Sequence, residues 1–228
     1  MYAVLKELKI YLITFTLATI VFVGFPELDI WFSSLFFEKG YFFLYNNPAV
    51  VIICRSAEVI IGILSICLIV LLLCRRNPFS INKKQVIYLL LVLVIGPGLV
   101  VNVVFKDQWG RARPGRIEEF GGVQKFTRAF VISDQCQKNC AFVSGHASIG
   151  FYFVAFAFIW RAHRKKIITG AALYGGIIGL ARIMRGVHYL SDIVFAFFFV
   201  YIIAYMVNQL MFIFPYRNKS PSSNRKLL

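Results

Sequence analysis

The sequence predicts an all-α integral membrane protein with six transmembrane helices. Hydrophobic residues make up 59% of its 228 residues, and only 15% are charged. Apolar runs long enough to cross a bilayer as helices recur along the chain. No tandem repeat and no low-complexity linker divides the sequence, so we expect one domain over residues 1–228.

The six spans are predicted from the apolar runs and the polar segments between them. They are expected over residues 8–25, 49–74, 86–105, 144–160, 167–181 and 189–214. No small-residue cleavage site follows the first span, so it is expected to remain as a helix. The third span contains Gly96-Pro97-Gly98, which predicts a kink or a widened gap. Residues 106–143 form a long polar loop, and residues 215–228 form a basic, flexible tail.

The formal charge of +15 indicates membrane topology and anionic lipid rather than nucleic acid, because the basic residues fall mainly in short loops. The loops after spans two and four and the tail hold basic but no acidic residues: Arg75, Arg76, Lys83, Lys84, Arg161, Arg164, Lys165, Lys166, Arg217, Lys219, Arg225 and Lys226. The loop after span one holds Glu27, Asp29 and Glu38 against Lys39. The positive-inside rule therefore predicts cytoplasmic termini, with the loops after spans one, three and five facing outward.

Two further segments each allow two interpretations. Residues 29–47 are rich in aromatic side chains, which is typical of an interfacial belt or of a helix that lies in the headgroup plane beside a lipid entry path. Arg55 and Glu58 lie three residues apart within the second span. Ionisable groups are costly there, so the two side chains either pair with each other or recognise a lipid headgroup.

The outward loop contains Cys136 and Cys140 in D-Q-C-Q-K-N-C. An oxidising compartment favours a disulfide between them. The alternative is half of a zinc site, although no second pair of ligands lies in the loop.

Three short motifs carry the chemistry, and the first is K-D-Q-W-G-R-A-R-P at the outer end of span three. Its cations, Lys106, Arg111 and Arg113, can form an anion site. In this site we expect Lys106 and Arg113 to hold a phosphate, with Arg111 a candidate for headgroup recognition. The alternative is that all three anchor the chain to lipid headgroups.

The second motif is F-V-S-G-H at the start of span four. Ser144 is a good N-cap, and Gly145 lets the backbone approach a ligand closely. The amides of a helix N-terminus bind anions, and His146 in the first turn can donate a proton to a leaving oxygen. The alternative is a capped helix with an ordinary interfacial histidine.

The third motif is R-I-M-R-G-V-H-Y-L-S-D, which supplies Arg182, His188 and Asp192. His188 and Asp192 share a helical face, so the carboxylate can fix the imidazole tautomer and leave the other nitrogen free to attack. Arg182 offers a forked cation for phosphate oxygens. Read alone, this motif is more typical of a helix end whose His and Asp cap backbone groups, and the other two motifs are what favour the catalytic interpretation.

Together the motifs predict a phosphate-directed active site at the outer face. Lys106, Arg113, Arg182, Ser144 and Gly145 would hold the phosphoryl oxygens, and His188 would attack phosphorus to form a phosphohistidine. Asp192 would orient His188, and His146 would protonate the leaving alcohol and then activate water. We expect no metal or other cofactor, because no carboxylate cluster or His/Cys set suggests one.

The motifs K-x(6)-R-P, S-G-H and R-x(5)-H-x(3)-D, in this order, resemble those of the type 2 phosphatidic acid phosphatase (PAP2) superfamily. This resemblance implies a six-helix membrane bundle and the same roles for the matching residues. The chain departs from the family pattern at Val143, where proline is usual, and at Ala181, where serine is usual. The second departure removes one phosphate hydrogen bond.

A longer likeness runs from I-G-P-G-L-V-V-N-V-V-F-K-D-Q-W-G-R-A-R-P to V-I-S-D-Q-C-Q-K-N-C-A-F-V-S-G-H-A-S and resembles the bacterial lipid A phosphatases. It implies an inner-membrane enzyme that removes phosphate from lipid A in the outer leaflet, with the 4′ position favoured. Undecaprenyl diphosphate and phosphatidylglycerophosphate are the alternative substrates. A non-catalytic protein that only binds anionic lipid is the alternative of another class.

Overall fold

The computed structural model describes residues 2–74 and 81–214, so Arg75, Arg76 and the predicted tail lie outside the described residues. Within these two ranges, seven helices follow one another: α1 Tyr2–Gly24, α2 Glu27–Ser34, α3 Pro48–Leu73, α4 Lys83–Gln108, α5 Gly145–Ile159, α6 Arg164–Met184 and α7 Leu190–Ile213. A small antiparallel hairpin, β1 Phe37–Glu38 and β2 Tyr41–Phe42, lies between α2 and α3. Short 3-10 turns cover Pro114–Arg116, Glu118–Phe120 and Arg161–His163.

Five helical segments within the described ranges are long and apolar enough to cross a membrane, and they confirm a multi-pass helical architecture. They are Lys6–Gly24, Pro48–Leu73, Lys83–Gln108, Arg161–Met184 and Leu190–Ile213. The fourth predicted span is the shorter apolar helix Gly145–Ile159, which falls below this length. Its N-terminus begins inside the protein, because Val143 and Ser144, which precede it, are fully buried.

Local sequence signals set the ends and the irregular middle of the long helices. The side chain of Asn47 caps α3 by accepting from the amides of Ala49 and Val50. The sequence predicted a distortion of the helix at Gly96-Pro97-Gly98, and α4 is π-helical over Val94–Phe105 around it. Pro97 contributes to this irregularity because it has no amide hydrogen to donate to the preceding turn. The side-chain amide of Asn102 donates to the carbonyl of Pro97 at 2.7 Å within this π-helical segment.

Small residues let α5 pack tightly against α6. A Cβ on Gly150 would lie 2.6 Å from the Cα of Gly175, and a Cβ on Gly175 would overlap the ring of Phe151. Two buried tyrosines tie this core to α4 and α7. The Tyr152 hydroxyl donates to the Leu89 carbonyl at 2.9 Å, and the Tyr88 hydroxyl donates to carbonyls of the neighbouring helices. This packing holds α5 rigidly among its neighbours.

The connectivity brings the three motifs to one end of the bundle. Lys106 lies in the last turn of α4, Ser144 precedes α5, Arg182 lies near the end of α6, and His188 precedes α7. The loop 109–143, the hairpin and α2 cover the same end.

Candidate active site

His188 lies between α6 and α7 and is fully buried. Its Nδ1 lies 2.8 Å from the carbonyl oxygen of Ala141 and 3.3 Å from Oδ2 of Asp192. Both neighbours accept hydrogen bonds when the carboxylate is ionised, so the proton of the neutral ring belongs on Nδ1. The lone pair is then on Nε2, which is buried and has no hydrogen-bond partner within residues 2–74 and 81–214.

The environment of His188 keeps this imidazole neutral. Burial lowers its pKa well below the usual value, and the charges of Arg182, Lys106 and Arg113 lower the pKa further. The three motif cations therefore lie near enough to act on the His188 ring. This combination of a free lone pair and surrounding positive charge suits attack on an anionic electrophile.

Two of these cations are held inside the protein. Lys106 is 9% exposed and Arg182 is 8% exposed. The Nε of Arg182 is buried and has no partner in the described part of the chain. An unpaired buried N–H group costs free energy, so an oxyanion bound here would satisfy a donor that the protein leaves unpaired.

Asn139 contacts two of the phosphate-binding candidates, Lys106 and Arg113, and the sequence analysis did not identify it. Its side-chain oxygen accepts from the Lys106 ammonium at 2.9 Å. Its carbonyl accepts from Nη2 and Nε of Arg113 at 2.7 and 3.1 Å. Cys136 and Cys140 form a disulfide that encloses Asn139 in a short loop. The motif D-Q-C-Q-K-N-C drew attention to the cysteines, whereas the asparagine between them carries the contacts.

The start of α5 approaches Lys106 closely. Ser144 is the N-cap, and its Oγ accepts from the Ala147 amide at 3.4 Å. A Cβ on Gly145 would lie 2.6 Å from Oδ1 of Asn102 and 3.4 Å from Nζ of Lys106. Glycine is therefore required for this approach, and it leaves the helix N-terminus beside a buried ammonium.

Glu58 contacts His146 rather than Arg55. Its Oε1 lies 2.9 Å from Nε2 of the histidine, and Arg55 is exposed on α3. The pairing of Arg55 with Glu58 that the sequence suggested is therefore replaced by a carboxylate–imidazole contact across α3 and α5. Burial and the charge of Arg182 lower the pKa of His146 to about 4, although Glu58 acts to raise it. A phosphate bound beside the ring would add to the effect of Glu58 and favour the protonated form, which can donate a proton.

Arg111, a sequence candidate for headgroup recognition, is instead fully buried. Its Nη1 donates to Oδ1 of Asp192 at 2.6 Å and to Oγ of Ser191 at 2.8 Å. Its Nη2 donates to Oδ2 of Asp29 at 2.7 Å, and its Nε donates to the Thr127 carbonyl at 2.7 Å. These bonds direct the guanidinium to the carboxylate that contacts His188, and the full burial of Arg111 keeps it away from lipid headgroups.

Asp29 is the second residue that sequence reasoning missed. It was assigned to an acidic outward loop, yet it is fully buried in α2 and accepts from the Ser191 amide at 2.8 Å. Burial raises the pKa of the Asp29 carboxyl, while the positive charge of Arg111 acts to lower it. The aromatic segment 29–47 therefore contributes a buried ionic contact, in addition to the helix and hairpin that cover the site.

Comparisons with known proteins identify a matching family, related sequences and a similar fold. The family model described as the PAP2 superfamily matches residues 85–216. A lipid A 4′-phosphatase of Francisella tularensis subsp. novicida is 41% identical over 209 residues, covering 86% of this chain and 91% of that protein. A lipid A 4′-phosphatase of Rhizobium leguminosarum is 33% identical, covering 76% and 83%. A crystal structure of a transmembrane PAP2 type phosphatidylglycerolphosphate phosphatase from Bacillus subtilis aligns with a TM-score of 0.55 at 16% identity, covering 98% of this chain and 100% of that one.

Proposed function

The chain belongs to the PAP2 superfamily and is a multi-pass membrane lipid phosphatase, and we propose that it removes the 4′-phosphate of lipid A through a phosphohistidine intermediate. The observation that carries the mechanism is the buried Nε2 of His188. It combines a lone pair, a fixed tautomer and three nearby cations in one place.

In the first half of the reaction, Nε2 of His188 attacks phosphorus and the bond from phosphorus to the sugar oxygen breaks. Lys106, Arg113 and Arg182 hold the equatorial oxygens and offset the charge that develops on them. His146 gives its proton to the leaving oxygen, so the sugar departs as a neutral alcohol. Asp192 stabilises the positive imidazole that results.

In the second half, His146 takes a proton from water as the water oxygen attacks the phosphohistidine. The P–N bond breaks, inorganic phosphate leaves, and His188 returns to its neutral state. The Ala141 carbonyl and Asp192 hold the ring throughout, so neither half requires the imidazole to turn.

The active site faces the periplasm, and both termini lie in the cytoplasm. The support is the charge asymmetry of the loops. Lys83, Lys84 and residues 161–166 lie at the bundle end opposite the motif residues, since each adjoins the other end of α4 or α6. A periplasmic site gives access to lipid A in the outer leaflet of the inner membrane, and an oxidising periplasm suits the disulfide.

Similarity to named relatives supports lipid A as the substrate over other lipid phosphates. Two proteins named lipid A 4′-phosphatase match over three quarters or more of this chain. The phosphatidylglycerolphosphate phosphatase is 16% identical and supports the fold alone.

The test is phosphate release by the purified protein in detergent with EDTA. Bis-phosphorylated lipid A, undecaprenyl diphosphate and phosphatidylglycerophosphate are compared for wild type and His188→Ala. We expect release from lipid A, loss of that release in the variant, and a product that lacks the 4′-phosphate by mass spectrometry. Release mainly from another lipid would contradict the substrate assignment.

A further inference from the structure

A cavity of about 520 Å³ adjoins the candidate active site. Its walls are the hairpin, the turn Pro114–Arg116 and the turn at residues 185–187. Arg113 is the one phosphate-binding motif residue in the described lining. This volume lies within the range of sites for small ligands, and Arg113 joins the cavity to the phosphate site.

The cavity is strongly cationic. Arg113, Arg116 and Arg185 line it, and its described lining residues include no Asp or Glu. Arg116 is close enough to Arg113 to lower the pKa of that guanidinium, after the larger effects of burial and Arg182. Like charges around one space repel, so an anion in the cavity would relieve this repulsion.

Part of the cavity wall is fixed. Nε of Arg185 donates to the Tyr45 carbonyl at 2.8 Å, and its guanidinium lies 4.9 Å from the Tyr45 ring centre. The Gly115 amide donates to the Gly186 carbonyl at 2.8 Å. Gly186 has φ +61°, and the ring of Phe42 occupies the space that a Cβ there would need. The two turns and the hairpin therefore hold one arrangement.

Aromatic side chains form the remaining wall. Tyr41, Phe43 and Tyr45 line the cavity and are 58%, 44% and 48% exposed. Aromatic faces carry partial negative charge and attract the slightly positive C–H groups of a sugar ring. Guanidinium forks beside such faces suit a sugar that also carries a phosphate.

We propose that this cavity holds the sugar headgroup of the substrate beyond the scissile phosphate, with Arg116 and Arg185 binding a second phosphate carried on that headgroup. The proposal rests on the proposed action on lipid A, and it assigns specificity to residues outside the three motifs. In this arrangement Arg113 contacts the scissile phosphate, while Arg116 and Arg185 bind the second phosphate on the headgroup.

The experiment compares kcat/KM for bis-phosphorylated lipid A with that for matched lipid A lacking only the 1-phosphate. Wild type should prefer the bis-phosphorylated form, and Arg116→Ala should reduce this preference about tenfold, since a charge-assisted contact is lost. Arg116→Lys should retain part of the preference for the bis-phosphorylated form, because lysine keeps the positive charge but not the guanidinium fork. Arg128→Ala is the matched control, because Arg128 is an exposed cation of the same loop outside the cavity.

Three outcomes would overturn the inference. One is an equal kcat/KM of wild type for the two forms, and another is an equal effect of Arg116→Ala and Arg128→Ala on the preference. The third is an unchanged preference together with a reduced response of Arg116→Ala to added phosphatidylglycerol, which would assign these arginines to bulk lipid. Release of phosphate from neither form of lipid A, with release from another lipid, would instead contradict the proposed function itself.

Discussion

Asp192→Asn removes one negative charge beside His188, the proposed nucleophile, while keeping the side-chain volume. Because the Ala141 carbonyl lies closer to Nδ1 than the carboxylate does, at 2.8 Å against 3.3 Å, the tautomer should survive the change. The loss should come from charge alone. For charges about 4 Å apart at an effective dielectric constant of about 20, the interaction is about 4 kcal/mol. We therefore expect kcat to fall about 10³-fold.

The assay is steady-state phosphate release from bis-phosphorylated lipid A, with thermal unfolding measured on the same preparations. Asp29→Asn is the matched control, because Asp29 also pairs with Arg111 but contacts Ser191 rather than the imidazole. Asp29→Asn should lower the free energy of unfolding, because it weakens the pairing with Arg111. Its kcat should stay within about tenfold of wild type, because Asp29 does not contact the imidazole. Equal loss of kcat in the two variants would refute the direct role of Asp192.

Three further predictions concern the surroundings of His188. Arg111→Met should lower the free energy of unfolding by about 3–5 kcal/mol, because it leaves two buried carboxylates unpaired; an unchanged melting temperature would contradict this. Asn139→Ala should raise KM about tenfold, since the side-chain contact that positions the Lys106 ammonium is lost while the backbone contact to Arg113 remains; an unchanged KM would exclude that role. The acid limb of kcat/KM should be centred below pH 6.5, because burial and nearby cations lower the pKa of His188 and its reactive neutral form persists to lower pH. A limb at or above the ordinary pKa of histidine would contradict this.

The three motifs could be predicted because each is local, with spacings that a helix or a short loop preserves. The residues that support them could not. Asp29 and Ser191 lie 162 residues apart in sequence, and no periodicity indicates that they meet. The Ala141 contact to His188 uses a backbone carbonyl, which leaves no compositional signal. Arg111 looked like one of three interfacial cations, and only the fold shows that it points inward.

Burial at helix ends and contacts between helices were a second limit of the sequence. The fourth span was predicted from its apolar run, and the structure has a shorter apolar helix there, but hydropathy did not indicate that Ser144 at its N-terminus is fully buried. Glu58 shows the same limit, since helical spacing suggested Arg55 as its partner while a neighbouring helix supplies His146. Spacing on one helix cannot report on the helix packed against it.

The most direct test of the mechanism is to trap the intermediate on His188. His146→Gln removes the group that activates water, and a ³²P-labelled aryl phosphate with an activated leaving group needs no general acid. Mixing the two and quenching in alkali should leave about one label per protein, stable to base and labile to acid. Mass spectrometry should place it on His188. Release of the aryl alcohol by wild type without label in the variant, or label on another residue, would contradict the account.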